Sequence, residues 1–556
     1  MSLARLSEKE VQQLHETFAL HQQGQLAEAV RGYKKLLRKH PSNPLLLTNL
    51  GVIECRLRNL EEGLRLLRFS LTVEPNQPDA LAQKALALFE LGRLDEALAD
   101  CDRAIALSDA CRSAHVNRGL VMVHKKRYEE ALASFDRALS FAPGDAKLLS
   151  NRGVALAGLK RFDEALADCR RAIELAPDFA SAYVNLGIAH WQNGQSAEAI
   201  SWYDKAISLS PSLVDAYLAR GNARCGRGEF DAADLDYDEV LRRNPHLDDG
   251  RWAKALTSLL KGDFAAGWKL YESRWQTCVK ERKFGGTRWL GKQGLLGKRI
   301  LVHHEQGLGD TLQFCRLAPV LVEMGAQVFL EVQPPLLSLV KTLSERITVI
   351  AEGDPLPEYD LHTPLLSLPL LLDLGEHSIP GAQGYLSVLP EKREQWAAKL
   401  GVRKKLRVGL AWTGNKDHGD DDRRSIAFEQ MRQLLDLPVE FHSLQKEIRA
   451  DDLALVGNSP IICHCDELVD FSDTAALVDQ MDLVVSVDTS VAHVAGALGK
   501  PTWVLVAFVP DFRWMLGRSD SPWYRSVTVY RQRSPGDWPG VVDAVRADIG
   551  RRCAAP

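Results

Sequence analysis

A spacing of 34 residues repeats through the first half of the chain without a slip. It leaves little choice of architecture. The eighth position of successive units is Thr17, Gly51, Ala85, Gly119, Gly153, Gly187, Gly221 and Ala255. Twelve residues further on stand Ala29, Gly63, Ala97, Ala131, Ala165, Ala199, Ala233 and Gly267. Pro41, Pro75, Pro143, Pro177, Pro211 and Pro245 close the units, and Asp109 holds the place where one proline is missing. A fixed period of this length marks stacked units, none of which can bury its apolar face alone. Each unit reads as two short helices. Small residues let the helices cross closely. Glycines such as Gly92 and Gly194 turn the chain inside a unit. The closing proline ends the second helix because it cannot extend the backbone hydrogen bonding.

The period is that of tetratricopeptide repeats, so residues 1–274 are expected to form an α-solenoid of about eight units. The first and last units fit the pattern worst, as capping units do. Position 6 of each unit carries His15, Asn49, Gln83, Asn117, Asn151, Asn185, Ala219 and Ala253. It lies on the first helix, whose face lines the concave groove in such arrays. An amide there offers a donor and an acceptor together and can pair with the backbone of an extended peptide. The alternative is that each asparagine bonds a neighbouring repeat. The array resembles the repeats of O-GlcNAc transferases. That resemblance implies a peptide groove at Asn49, Asn117, Asn151 and Asn185, with Gln83 as an imperfect rung.

A net charge of −4 over 556 residues argues against broad nucleic-acid binding. No N-terminal stretch has the layout of a cleaved leader, and no apolar run is long enough to span a membrane. The ten cysteines form no CxxC. Cys463-His464-Cys465 lacks a second pair that would complete a metal site. Cys101 and Cys169 occupy the repeat position held elsewhere by Phe135, Tyr203, Tyr237 and Tyr271, so they read as small core residues. Reduced thiols and a cytoplasmic protein are expected.

The period stops near Arg274. A connector at 275–298 follows, Gly- and Lys-rich from Phe284 to Lys298. Beyond it, short apolar runs alternate with helical stretches, the pattern of parallel strand–helix units. Strands are expected at Arg299–His304, Val328–Val332 and Thr348–Ile350, then at Arg407–Trp412, Glu440–Leu444, Leu483–Val487 and Thr502–Val506. The two series divide the region into lobes at 299–392 and 404–556, each Rossmann-like. Ligands in such sheets sit at the carboxyl ends of strands. Three loops there carry chemistry. Gly307-Leu308-Gly309-Asp310 is a glycine turn with a carboxylate at a helix start, which also suits a plain N-cap. Asp488-Thr489-Ser490-Val491-Ala492-His493 gathers backbone NH groups, hydroxyls and a helix dipole at one spot, which suits a diphosphate; His493 also reads as a core or cap residue. Thr413–Ser425 brings Lys416, Arg423 and Arg424, cations able to neutralise phosphate or simply to face solvent. Asp420-Asp421-Asp422 superficially offers a metal motif and reads as solvated charge.

The stretch from Ile300 to about Ile549 resembles glycosyltransferase family 9, the heptosyltransferase-like group with the GT-B fold. The matching residues are Glu305-Gln306-Gly307-Leu308-Gly309-Asp310 and the run Ser486 to Pro501. The segments Phe508–Trp514 and Asp520–Tyr524 bring it closer to bacterial repeat proteins that carry such a domain. The resemblance implies an inverting glycosyltransferase with a nucleotide-sugar donor on the C-terminal lobe and an acceptor on the N-terminal lobe, and no metal or other cofactor. It makes Asp310 the general base, with Gly307 and Gly309 in the loop at the cleft. Asp488, Thr489, Ser490 and His493 would bind the donor, and Arg424 would meet its phosphate. Ser490 stands where heptosyltransferases have glycine, Arg424 where they have lysine, and Ala427 near their proline. These departures bear on the sugar, not on the donor class. Two other functions fit the same residues: an inactive repeat scaffold for protein binding, and an envelope-polysaccharide enzyme with a non-protein acceptor.

Overall fold

The computed structural model describes residues 7–416, 419 and 421–554. The chain forms two compact units, Met1–Ala223 and Arg224–Pro556. No helix among the described residues is long and apolar enough to cross a membrane.

The first unit is built of paired helices, such as Pro44–Arg56 with Leu60–Val73 and Ala180–Gln192 with Ser196–Leu209. The small column is required by packing. A Cβ on Gly119 would lie 2.5 Å from the Phe135 ring, one on Gly187 2.4 Å from Tyr203, and one on Gly153 2.6 Å from the Cys169 sulfur. Cys101 and Cys169 are fully buried and act as small core side chains. The turn inside each unit needs one left-handed residue. Gly24, Gly92 and Gly194 supply it at positive φ, and Arg58, Lys126 and Lys160 adopt the same conformation at the equivalent positions (φ 68°, 58° and 60°). The turn is therefore imposed by the stacking of the two helices, whether or not glycine is there to ease it.

The second unit begins inside the repeat pattern. Its helices Phe230–Arg243, Asp248–Lys261, Phe264–Tyr271 and Arg274–Thr277 lead into two five-stranded sheets. The first sheet holds β1 (Thr287–Arg288), β2 (Arg299–His303), β3 (Gln327–Val332), β4 (Ile347–Ala351) and β5 (Leu361–Pro364) in the order β1-β5-β2-β3-β4. The second holds β6 (Arg407–Ala411), β7 (Glu440–Ser443), β8 (Leu483–Val487), β9 (Thr502–Val506) and β10 (Val527–Arg531) in the order β10-β9-β8-β6-β7. Every pairing is parallel. All seven expected runs are strands, and β1, β5 and β10 are additional. The stretch read as a connector thus contributes β1, and its Trp289 is fully buried. β1 is only two residues long and β5 ends in a proline, so neither stands out by composition. β10 does show the alternation of a sheet edge, with Val527 and Val529 buried and Thr528 exposed.

One apolar core joins Leu259, Phe264, Trp268 and Tyr271 of the last repeat helices to Ile300 and Val302 of β2 and to Trp523 and Tyr524. The same core takes in Val484, Val504 and Val506 of the second sheet, and a second core, with Val408, Leu410, Val485 and Leu505, covers that sheet's other face. A polar tie runs beside the first. Arg274, wholly buried, donates to Glu305 Oε1 at 2.9 Å, Glu272 Oε1 at 2.6 Å and Ser367 Oγ at 2.8 Å. Burial pushes the Glu305 carboxyl up to about 7 against the pull of Arg274. Tyr271 donates to Gln306 Oε1 at 3.3 Å. The residues that end the repeat pattern therefore grip the loop after β2.

Candidate active site

In each sheet the strand order reverses at one place, β2 against β5 and β6 against β8, and the crevice outside such a reversal is where α/β folds place ligands. The loops leaving β2, β6 and β8 meet there with the loop after β9.

The loop after β2 opens the helix Leu308–Phe314 with Gly307 as its N-cap. Asp310 is thus not the N-cap itself: it stands at the third helical position, where its Oδ2 accepts the Gly307 N–H at 2.8 Å. Its other oxygen pairs with the Arg513 guanidinium from the loop after β9. The helix Ser490–Ala497 starts opposite, with Thr489 as N-cap and no side-chain bond closing that cap. The two helix starts nearly touch: a Cβ on Gly309 would lie 2.9 Å from His493 Cδ2 and 3.8 Å from Ser490 Cα. Glycine at 309 is thus a requirement of close approach.

His493 is buried. Its Nδ1 shares a hydrogen bond with the Tyr524 hydroxyl at 2.8 Å, its ring stacks on Trp514, and its Nε2 lies 4.0 Å from Asp488 Oδ1. Burial, then the charges of Arg513, Arg316 and Arg424, hold its pKa well below the usual histidine value, so the ring is neutral. Burial and the neighbouring Asp511 carboxylate push Asp488 up to about 6, although Arg513 and Arg424 oppose the shift.

The loop after β6 is clamped at its root by Gln445, whose Oε1 accepts the N–H groups of Trp412 and Thr413 at 2.8 and 2.9 Å. The acidic triplet is not solvated charge throughout. Asp420 lies outside the described residues and Asp422 is exposed, but Asp421 is buried rather than solvated. It accepts from Arg449 at 2.5 Å and from Ser425 Oγ at 2.8 Å, and so fastens the loop. Arg424 lies over Gly414, where a Cβ would meet its Nη2 at 2.7 Å; its Nε makes no hydrogen bond among the described residues and stands 3.8 Å from Asp421 Oδ1. Lys416 is exposed.

These loops enclose a cavity of about 520 Å³. It brings together Gly307, Gly309, Asp310, Arg424, Asp488, Thr489, Ser490 and His493, all of the expected catalytic and donor residues. Arg423, Asp511 and Arg513 also line it, as do Leu256, Thr257 and Leu260 from the helix Asp248–Lys261. Lys416 is not in the lining. No motif marks Arg513, Asp511, Tyr524 or Arg274 as functional, although the first three fall within Phe508–Trp514 and Asp520–Tyr524.

The asparagine row behaves differently. Asn117 Nδ2 donates to Ala82 O at 2.8 Å, and Asn185 Nδ2 to Ser150 Oγ at 2.8 Å, each reaching the preceding repeat. Asn49 Nδ2 bonds Leu45 O in its own helix at 2.9 Å, and Asn151 is half-buried. The inter-repeat bond weighed as the alternative is the one that Asn117 and Asn185 make.

Two family profiles match the chain. One is the tetratricopeptide repeat, over residues 55–110, 82–146 and 150–213. The other is glycosyltransferase family 9 (heptosyltransferase), over residues 468–534, which takes in β8, β9 and the loops after them. The chain thus carries segments similar to tetratricopeptide repeats and, near its C-terminal end, a segment similar to glycosyltransferase family 9. A curated relative is Protein FlbA of Caulobacter vibrioides, 29% identical over an alignment of 308 residues that covers 50% of this chain and 51% of that protein. The chain thus matches about half the length of that relative. Among solved structures, a tetratricopeptide repeat protein from Parabacteroides merdae is 22% identical, with 45% of this chain and 99% of that chain covered and a TM-score of 0.39. A thermophilic TPR protein of Thermus thermophilus is 24% identical, covering 32% of this chain and 98% of that chain, with a TM-score of 0.30.

Proposed function

We propose that the C-terminal region is an inverting glycosyltransferase of GT-B arrangement, acting in the cytoplasm, and that the repeats recruit its acceptor, a polypeptide in the first instance. The observation that carries this reading is the convergence on one cavity of Asp310, Arg424 and the Asp488–His493 segment, from loops of both sheets. The start of the helix Ser490–Ala497 suits a diphosphate, because its first NH groups are closed by no Thr489 side-chain bond and Thr489 and Ser490 both line the cavity. Arg424, which lines the cavity, suits the departing phosphate. Asp310 is the general base. The acceptor hydroxyl loses its proton to the carboxylate as its oxygen bonds to the anomeric carbon. The bond from that carbon to phosphate breaks, and its electron pair leaves with the nucleoside diphosphate, whose charge Arg424 offsets. Guanidinium charge serves here, so the reading requires no metal cofactor.

Labelled nucleotide sugars test the reading: it fails if no donor is bound or turned over. Asp310→Asn should abolish transfer without loss of donor affinity, and retained transfer would remove the base from the mechanism. A second reading has a saccharide or lipid-linked acceptor, with the repeats serving assembly alone. The inter-repeat bonds of Asn117 and Asn185 favour it, since they commit part of the asparagine row to the solenoid itself. Asn49→Ala with Asn151→Ala decides between them. Transfer to a protein acceptor that is unchanged by this pair would take the row out of recognition.

A further inference from the structure

Arg513 belongs to the loop after β9, yet its guanidinium reaches across the cleft to the helix Leu308–Phe314. It pairs with Asp310 Oδ1, donates through Nε to Gln313 Oε1, and donates through Nη1 to Asp511 Oδ1 at 2.7 Å. Its neighbour Phe512 packs on Trp268 and Tyr271, so the last repeat helix fixes the position of this loop. Asp310, Asp488 and Asp511 all line the same cavity. Carboxylates crowded into a partly desolvated site need a shared cation. Arg513 touches two of the three directly. A carboxylate held by a guanidinium is oriented and ionised, but it is a weak base while the pairing lasts. A nucleoside diphosphate would bring further anionic oxygens to this guanidinium, in a geometry it binds well.

We propose that Arg513 is a shared counter-ion, holding Asp310 in place while the cleft is empty and passing part of its charge to the diphosphate of an incoming donor, which frees Asp310 to take the acceptor's proton. This rests on the donor reading above and makes Arg513 a positioning residue for the base. Donor binding and base activation are then one event, and the acceptor reacts second.

The experiment titrates UDP, GDP and ADP into the full chain by calorimetry, for wild type, Asp310→Asn, Arg513→Met, Arg513→Lys and the Asp310→Asn/Arg513→Met pair. Arg513→Met should weaken the nucleotide that binds by about tenfold, and Arg513→Lys by less. Asp310→Asn should tighten it several-fold, and this gain should vanish when Arg513 is methionine. Equal tightening with and without Arg513 would mean simple repulsion by Asp310 and would overturn the relay while leaving the donor reading intact. If none of the three nucleotides binds wild type, the donor reading falls and the relay with it. For a donor that is turned over, the acid limb of kcat/KM should move up by about one pH unit in Arg513→Met and return toward wild type in Arg513→Lys. A limb that stays put with activity merely lowered would reduce Arg513 to a structural role. Should Arg513→Met fail to fold, Asp310→Asn compared in the wild-type and Arg513→Lys backgrounds carries the same contrast.

Discussion

Asp488 is forced to carry charge where the surroundings resist it. Burial and Asp511 raise its pKa from 3.8 to about 6. A carboxyl that is a weaker acid when folded than when unfolded binds extra protons in the native state. Its cost to stability therefore appears as pH rises from about 4 to 6 and is complete above that. Asp488→Asn should raise the unfolding midpoint at pH 7, with the gain fading below about pH 4; an equal gain at all pH values would contradict this. Sites that bind charged ligands often carry such unfavourable residues. Residues of this kind were legible in the sequence where they directly follow a strand, as Asp488 does, or stand in the first turn of the next helix, as Asp310 does. Arg513 was not, because its partner Asp310 is 203 residues away and only the packing of two sheets brings them together. Asp421 misled because a run of acids looks solvated, whereas Arg449 pairs with it from 28 residues further on.

Among the elements, the repeat unit offers a direct test of what sets its shape. Lys160 holds a left-handed conformation at φ 60° in a turn where Gly92 and Gly194 do so without a side chain. Lys160→Gly should stabilise the first unit by up to about 1 kcal/mol, read from urea unfolding; a loss would mean that unfolded-chain entropy outweighs the relief. The pairing of small and large columns was readable from the period. The left-handed column was only half readable, since arginine and lysine give no hint of it. At the join, Arg274 is the decisive residue of the helix Arg274–Thr277. Removing one partner of a buried ion pair strands the other, at about 3–5 kcal/mol. Arg274→Met should be strongly destabilising, and adding Glu305→Gln should recover much of the loss. A double variant no better than the single would show that Arg274 acts through Glu272 and Ser367 instead.

For the whole molecule, the period and the compact unit end at different places. The pattern fades near Arg274, while the unit that holds the sheets starts at Arg224. Periodicity reports local geometry, and core membership depends on what a face packs against. Phe264, Trp268 and Tyr271 keep the repeat spacing and yet lie in the core that residues of both sheets share. A chain cut to 224–556 should fold and be soluble, whereas one cut to 275–556 should aggregate, because the first sheet then loses an aromatic wall. Equal solubility of the two, by gel filtration and circular dichroism, would refute this. The turn glycines tell the same story: Phe508 packs against Gly228, and Met515 against Gly262. Arrays of this kind grow and shrink by duplication of whole units. Here that freedom exists at one end only. Units upstream of Arg224 can be gained or lost as modules across a lineage, whereas the last two are bound to the pace of change of the cleft they help to wall.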